Sequence, residues 1–186
     1  MDKRNRPALG FLLAGLGVAG RALLAVPEGV SMFETTLTVL ILVGCLVLGR
    51  RGLRPLGCIT AGLVLELLLC GSQVQTGGFW LWLAPLLRLV DLWLMTGCAA
   101  LLLTQAGSMM ETLGASVRRM PLMAAILLGL FSAAQIGVLI RPDVAALDTA
   151  VAVLFVVYSV GMLWFTVLMI RAYNALRIKP DRRRTL

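Results

Sequence analysis

Residues Phe79–Cys98 read FWLWLAPLLRLVDLWLMTGC. About 20 mostly apolar residues in helical form span the roughly 30 Å hydrocarbon core of a bilayer. This run also holds Arg88 and Asp91 near its middle. A charge at mid-bilayer costs at least about 2.5–3.5 kcal/mol on insertion scales, so such residues face the bundle interior and pair. Three positions apart on a helix, Arg88 and Asp91 share a face and can touch. The stretch therefore reads as a transmembrane helix belonging to a bundle, with a polar spot to hide.

The rest of the chain agrees. It has 186 residues, 60% hydrophobic and 14% charged, with a mean hydropathy of +0.94. A soluble domain is closer to half apolar and a quarter charged. Apolar runs recur throughout, and the longest gap, Gln105–Met120, is too short for a separate core. The expectation is one all-α transmembrane domain over residues 1–186. Its six helices are placed at about 7–26, 33–49, 55–71, 79–104, 121–140 and 148–170. Lys3, Arg4 and Arg6 before an apolar run resemble a signal peptide, but Arg21 interrupts the place for cleavage, so the run reads as a retained first span.

Loop charges set an orientation. Of 15 basic residues outside these spans, 14 fall on one side: Lys3, Arg4 and Arg6; Arg50, Arg51 and Arg54; Arg118 and Arg119; and the tail from Arg171 to Arg184. The other side holds Glu28, Glu34, Asp143 and Asp148, with Arg141 as its single basic residue. The positive-inside rule makes the basic side cytoplasmic, with both termini inside. The net charge of +8 is thus orientation charge that sits against anionic headgroups. It does not signal nucleic acid. The expected location is an integral protein of a prokaryotic cytoplasmic membrane.

The chain has no histidine, which removes bis-histidine haem, most zinc sites and the commonest general base. Cys45, Cys58, Cys70 and Cys98 form no CxxC pair and read as buried small hydrophobes. HExxH, a serine elbow and a Gly-rich phosphate loop are all missing. No metal, no cofactor and no enzymatic activity are expected.

Four ionisable residues lie inside the spans: Arg21, Glu66, Arg88 and Asp91. At about 1.5 Å per residue, Arg88 falls roughly 13 Å and Asp91 roughly 18 Å below the outer boundary. Glu66, Arg21 and Gln135 come to roughly 8 Å. These five form the candidate ligand site, an outward-facing polar pocket. Arg88 would hold a small polar or anionic solute through its planar fork of donors. The plainer alternative is a pair of buried ion pairs, Arg88–Asp91 and Arg21–Glu66, that fix helix register; a proton relay through the two acids is a third reading, a thin chain without histidine.

A second set concerns partners. Gly10/Ala14 and Gly15/Ala19 place small residues four apart on the first span, where helix backbones approach closely. Ser108 and Glu111 form an S-x-x-E capping box, and Met109, Leu113 and Val117 follow on one helical face. Residues 109–118 therefore read as a short amphipathic helix on the cytoplasmic surface. Both elements are candidate docking faces for another membrane subunit, or plain packing and interfacial segments.

Six spans, cytoplasmic termini, a small-residue first helix and polar groups beneath the outer face resemble the substrate-binding subunits of energy-coupling-factor vitamin transporters. The likeness is architectural and covers the whole chain. It implies a first helix that docks on a coupling subunit and a solute bound near the outer side. Insulin-induced-gene-type sterol sensors share the six-span outline. Two functions follow: a solute-binding or transport subunit, or a non-catalytic accessory or scaffold subunit of a larger membrane complex.

Overall fold

The computed structural model describes residues 6–24, 32–72, 78–109 and 114–178. They form six α-helices: α1 Arg6–Leu24, α2 Met32–Val47, α3 Leu53–Ser72, α4 Gly78–Met109, α5 Gly114–Ile140 and α6 Ala145–Ile178. No strand occurs among the described residues, and the chain is all-α. Five helices are long and apolar enough to cross a membrane. The exception is α2, with 16 residues, roughly 24 Å at the α-helical rise.

The helices differ from the expected spans at the α4–α5 connection. The segment after residue 104 is not a loop carrying its own surface helix. Instead α4 runs on to Met109 and α5 starts at Gly114, passing through Pro121. Hydropathy falls after Leu103, but Gln105 and Ala106 are good helix formers, so the polarity change does not end the helix. Ser108 lies inside α4 and is no N-cap. Met109 closes α4 and Val117 belongs to α5, so they share no helix, while Leu113 and Glu111 lie outside the described residues. In the same way α6 continues past Arg171 to Ile178.

Each helix packs against its neighbours in sequence, and α6 returns to α1, closing a six-membered ring. Across it, α4 also touches α6. The inward face of α4 is written at helical spacing: Arg88, Asp91 and Leu92, Met95, Cys98 and Ala99, Leu102 and Leu103, Ala106 are all buried. Val90 and Trp93, on its other side, are exposed. On α5 the inner row is Ala124, Leu128, Phe131 and Gln135, whereas Leu122, Ile126, Leu130 and Ile136 face outward. Apolar exposure of this kind on helices of this length implies bilayer contact. The described cysteines are all free thiols.

The small residues of α1 are used within the ring. A Cβ on Gly10 would meet Leu48 and the Gly44 carbonyl at 2.7 and 2.9 Å. A Cβ on Gly44 would meet the Ala14 nitrogen at 2.7 Å and the Gly10 carbonyl at 2.8 Å. Here α1 and α2 touch backbone to backbone, as small-residue stripes permit. Gly15 faces Met169 of α6, and Thr166 of α6 donates to the Gly15 carbonyl at 3.3 Å. Gly10, Ala14 and Gly15 are buried and Ala19 half-buried. The stripe expected as a docking face for another subunit is largely covered by α2 and α6. The turn after α2 has its own constraint, since Gly49 has φ +61°, a left-handed conformation that favours glycine at a helix C-terminus.

Filling the α1–α2 contact should cost stability. Gly44→Ala meets backbone atoms that cannot move aside, an overpacking worth about 1–3 kcal/mol. Thermal unfolding in detergent should show a clearly lowered midpoint. Gly129→Ala, where a Cβ meets nothing within 4 Å, should leave the midpoint in place or raise it.

Candidate functional site

Four helices bring charge to one point. Arg21 stands one turn from the end of α1, Glu34 in the first turn of α2, Glu66 in the last two turns of α3, and Arg88 with Asp91 in the first half of α4. All five are buried: Glu34, Glu66 and Asp91 at 0% exposure, Arg88 at 2% and Arg21 at 6%.

Asp91 is the hub. Its Oδ2 accepts from Arg21 Nη2 at 2.8 Å and from Arg88 Nη1 at 2.9 Å. The second Arg88 nitrogen, Nη2, donates to Glu34 Oε1 at 2.9 Å. The other Arg21 nitrogen, Nη1, pairs with Glu66 Oε1 and with the Thr38 hydroxyl. Thr38 Oγ1 lies 2.7 Å from Glu66 Oε1 and 3.1 Å from the Glu34 carbonyl. One hydroxyl proton serves one of these acceptors at a time. The two pairs expected from the sequence, Arg88–Asp91 and Arg21–Glu66, both form, and the Arg21–Asp91 contact joins them.

Two members were not on the candidate list. Glu34 reads as a loop charge at the mouth of the second span, and Thr38 attracts no notice alone. A signal was present: Glu34 and Thr38 lie four apart, on the α2 face that also buries Ile41 and Cys45. Gln135 behaves differently. It is buried on α5, but its Oε1 has no hydrogen-bond partner among the described residues, and no bond links it to the five charges. Its neighbour one turn back, Ser132, accepts from Trp93 Nε1 at 3.1 Å.

Charge and valence now say what the cluster can do. Two guanidiniums against three carboxylates leave a formal charge of −1. Both arginines are engaged by the chain's own carboxylates, so their forks are not open to an incoming anion. The unsatisfied atoms include Glu66 Oε2 and Asp91 Oδ1, both acceptors. Asp91 Oδ1 faces Gly62, where a Cβ would stand only 3.3 Å away.

Beside the cluster lies a narrow cleft, a cavity of about 20 Å³, between α1, α2, α4 and α6. Its walls are mostly apolar, among them Val18, Ile41, Leu92 and Met95. Polar groups enter at three points: Arg21, Tyr158 and Ser159. The Tyr158 hydroxyl is 2.9 Å from Thr96 Oγ1, which ties α6 to α4 at the cleft wall. Along α1 and α4, the cleft residues Val18 and Leu92–Cys98 lie toward the middle of the bundle from Arg21 and Asp91. Most of the cleft thus lies on the inner side of the cluster, while Arg21 and Ala22 carry its wall up to the level of the charges. No group of three or more Cys, Asp or Glu among the described residues is arranged to hold a metal ion.

Comparison with known proteins gives one match. The family model described as "Protein of unknown function (DUF979)" matches residues 34–179. No curated protein and no solved structure matches the chain.

The hub position should dominate stability. Removing one partner from a buried pair costs about 3–5 kcal/mol, because the remaining charge is left uncompensated. Asp91→Ala strips the shared acceptor from both arginines. Its loss in reversible detergent unfolding should exceed that of Thr38→Val, which removes a neutral hydroxyl from Arg21.

Proposed function

We propose that this chain, which belongs to the DUF979 family, is an integral membrane subunit that binds and moves a small polar solute. In this reading the narrow cleft between α1, α2, α4 and α6, about 20 Å³ in this conformation, widens to receive the solute, and the Arg21–Asp91–Arg88 cluster closes it from one side. The observation that carries the reading is the adjacency of a mid-bundle cleft and a sealed, net-charged polar layer.

Physical cost is the argument. Well-packed apolar side chains of similar volume hold a bundle as well as a buried ion network, or better. Ionisable residues inside a membrane are costly and commonly mark solute and ion pathways. Apolar walls with a few convergent polar groups are the usual make-up of a small-molecule site. The hydroxyls of Tyr158 and Ser159 fit a solute that has an apolar body and a polar end. With the basic loops cytoplasmic, the cluster lies on the outer side of the cleft and acts as its outer gate. Solute from outside then enters only when part of the network opens. The chain performs no catalysis in this reading, and its setting is a prokaryotic cytoplasmic membrane.

The accessory-subunit alternative rested on the first helix and the 109–118 segment. Gly10, Ala14 and Gly15 are packed against α2 and α6, so no specific observation favours it.

The test is to fill the cleft without touching the cluster. Ala22 lines the cleft and is half-buried. Native mass spectrometry of the detergent-extracted wild type should show a bound small molecule. Ala22→Phe should insert and unfold normally but lose that species at least tenfold. A wild type that carries no small molecule beyond lipid, or an Ala22→Phe variant that retains it, removes the solute-binding reading.

A further inference from the structure

A second cavity, of about 90 Å³, lies between α5 and α6. Met120, Met123 and Leu127 line it from α5, and Tyr158, Gly161 and Phe165 from α6. It is a groove on the outside of the bundle: α4 takes no part in it, Met123 is exposed, and Met120, Leu127 and Gly161 are half-buried. We propose that this groove seats one acyl chain of an anionic phospholipid, whose phosphate is held by Arg119. The site is separate from the central cleft and does not depend on a solute being carried there.

The lining selects a hydrocarbon chain. Every lining side chain is apolar except Tyr158, and the Tyr158 hydroxyl is turned to Thr96 Oγ1, 2.9 Å away. Water in the groove would find none of the two to four polar partners it needs. Left empty, the lining would forfeit its dispersion contacts on one side. Gly161 supplies room, since a Cβ there would meet nothing within 4 Å. From Met120 to Leu127 the groove follows α5 for about 10 Å at the helical rise, so its length runs along the helix axis as a lipid tail does. It ends at the ring of Tyr158, whose other side walls the central cleft.

Charge says which lipid. Arg119 stands four positions before Met123 and so lies on the same stripe of α5, one turn nearer the helix start. It is exposed and makes no salt bridge among the described residues. Its planar fork of donors suits a phosphate. On α6 the exposed Arg171 lies beyond Phe165 toward the same end of the bundle. The anion-binding end and the apolar run are therefore in the order that a phospholipid requires, headgroup at the bundle end and tail directed inward. The occupant also fits the packing, because α5 is the least enclosed of the five long helices.

Native mass spectrometry of the full chain with added dioleoyl phosphatidylglycerol or dioleoyl phosphatidylcholine tests this, because the two lipids share their chains and differ in headgroup charge. The wild type should retain one phosphatidylglycerol in preference to phosphatidylcholine. Arg119→Ala changes only an exposed side chain and should lower that preference about fivefold, the worth of one basic residue at a lipid surface. Gly161→Leu fills the groove and should lose the bound lipid of either kind. Gly129→Leu is the control: a Cβ there also meets nothing within 4 Å, but Gly129 does not line the groove, so its lipid should stay. Equal retention of the two lipids by the wild type, retention by Gly161→Leu, or equal loss in both glycine variants overturns the proposal. So does a wild-type dimer that Gly161→Leu dissociates, which would make a second copy the occupant. Displacement of the lipid by glycerol phosphate, which has no chain, overturns it as well. Ala22→Phe fills the other cavity, so the solute reading and the lipid site fail separately.

Discussion

One carboxylate oxygen, Asp91 Oδ2, joins the two halves of the charge network. It accepts from Arg21 of α1 and from Arg88 of its own helix, and these two reach Glu66 on α3 and Glu34 on α2. Four helices therefore meet through a single atom. The desolvation cost of each charge is tolerable only while the others are in place. Register along α1, α2, α3 and α4 is thereby fixed together, because a shift of one turn in any of them, about 5.4 Å, takes its charge out of hydrogen-bond reach.

The rest of the bundle is arranged to keep that point closed. Backbone contact between α1 and α2 at Gly10, Ala14 and Gly44 draws Arg21 and Thr38 into range of each other. On the other side α4 is pinned by Trp93 to α5 and by Thr96 to α6. Phe131 and Phe155 pack with ring centroids 5.6 Å apart and hold α5 against α6 in the same region. Among the described residues no charge is buried in the apolar core below the cleft, where Leu102, Leu103 and Phe165 pack. Polarity is concentrated toward one end of a bundle that is otherwise built like any apolar helix assembly.

Much of this was legible in the residues. Apolar runs gave all six helices to within a few positions at most ends, since hydropathy over about 20 residues is a strong signal. Arg88 and Asp91 announced their pairing by spacing alone. The misplaced boundaries, at 105–120 and beyond residue 170, have one cause: the sequence shows where the apolar stretch ends, and helices continue past that point. Glu34 was hidden because a charge beside a span looks like a loop charge until its Thr38 neighbour is seen on the same face. The cleft could not be read at all, since Ala22, Leu92 and Tyr158 meet only through the closure of α6 on α1. Gln135 illustrates the reverse, where matching depth did not bring a hydrogen bond to the five charges among the described residues.

The order in which the network's members occur along the chain has a consequence for how the protein is made. Arg21 lies in α1, and Asp91 is 70 residues later. Until α4 has been synthesised, Arg21 lacks one of its carboxylates and Glu34 lacks its guanidinium. The first three helices are therefore poorly suited to settle in lipid one by one. Their buried charges are compensated only once the fourth helix joins them, so the four are best regarded as one block of the bundle.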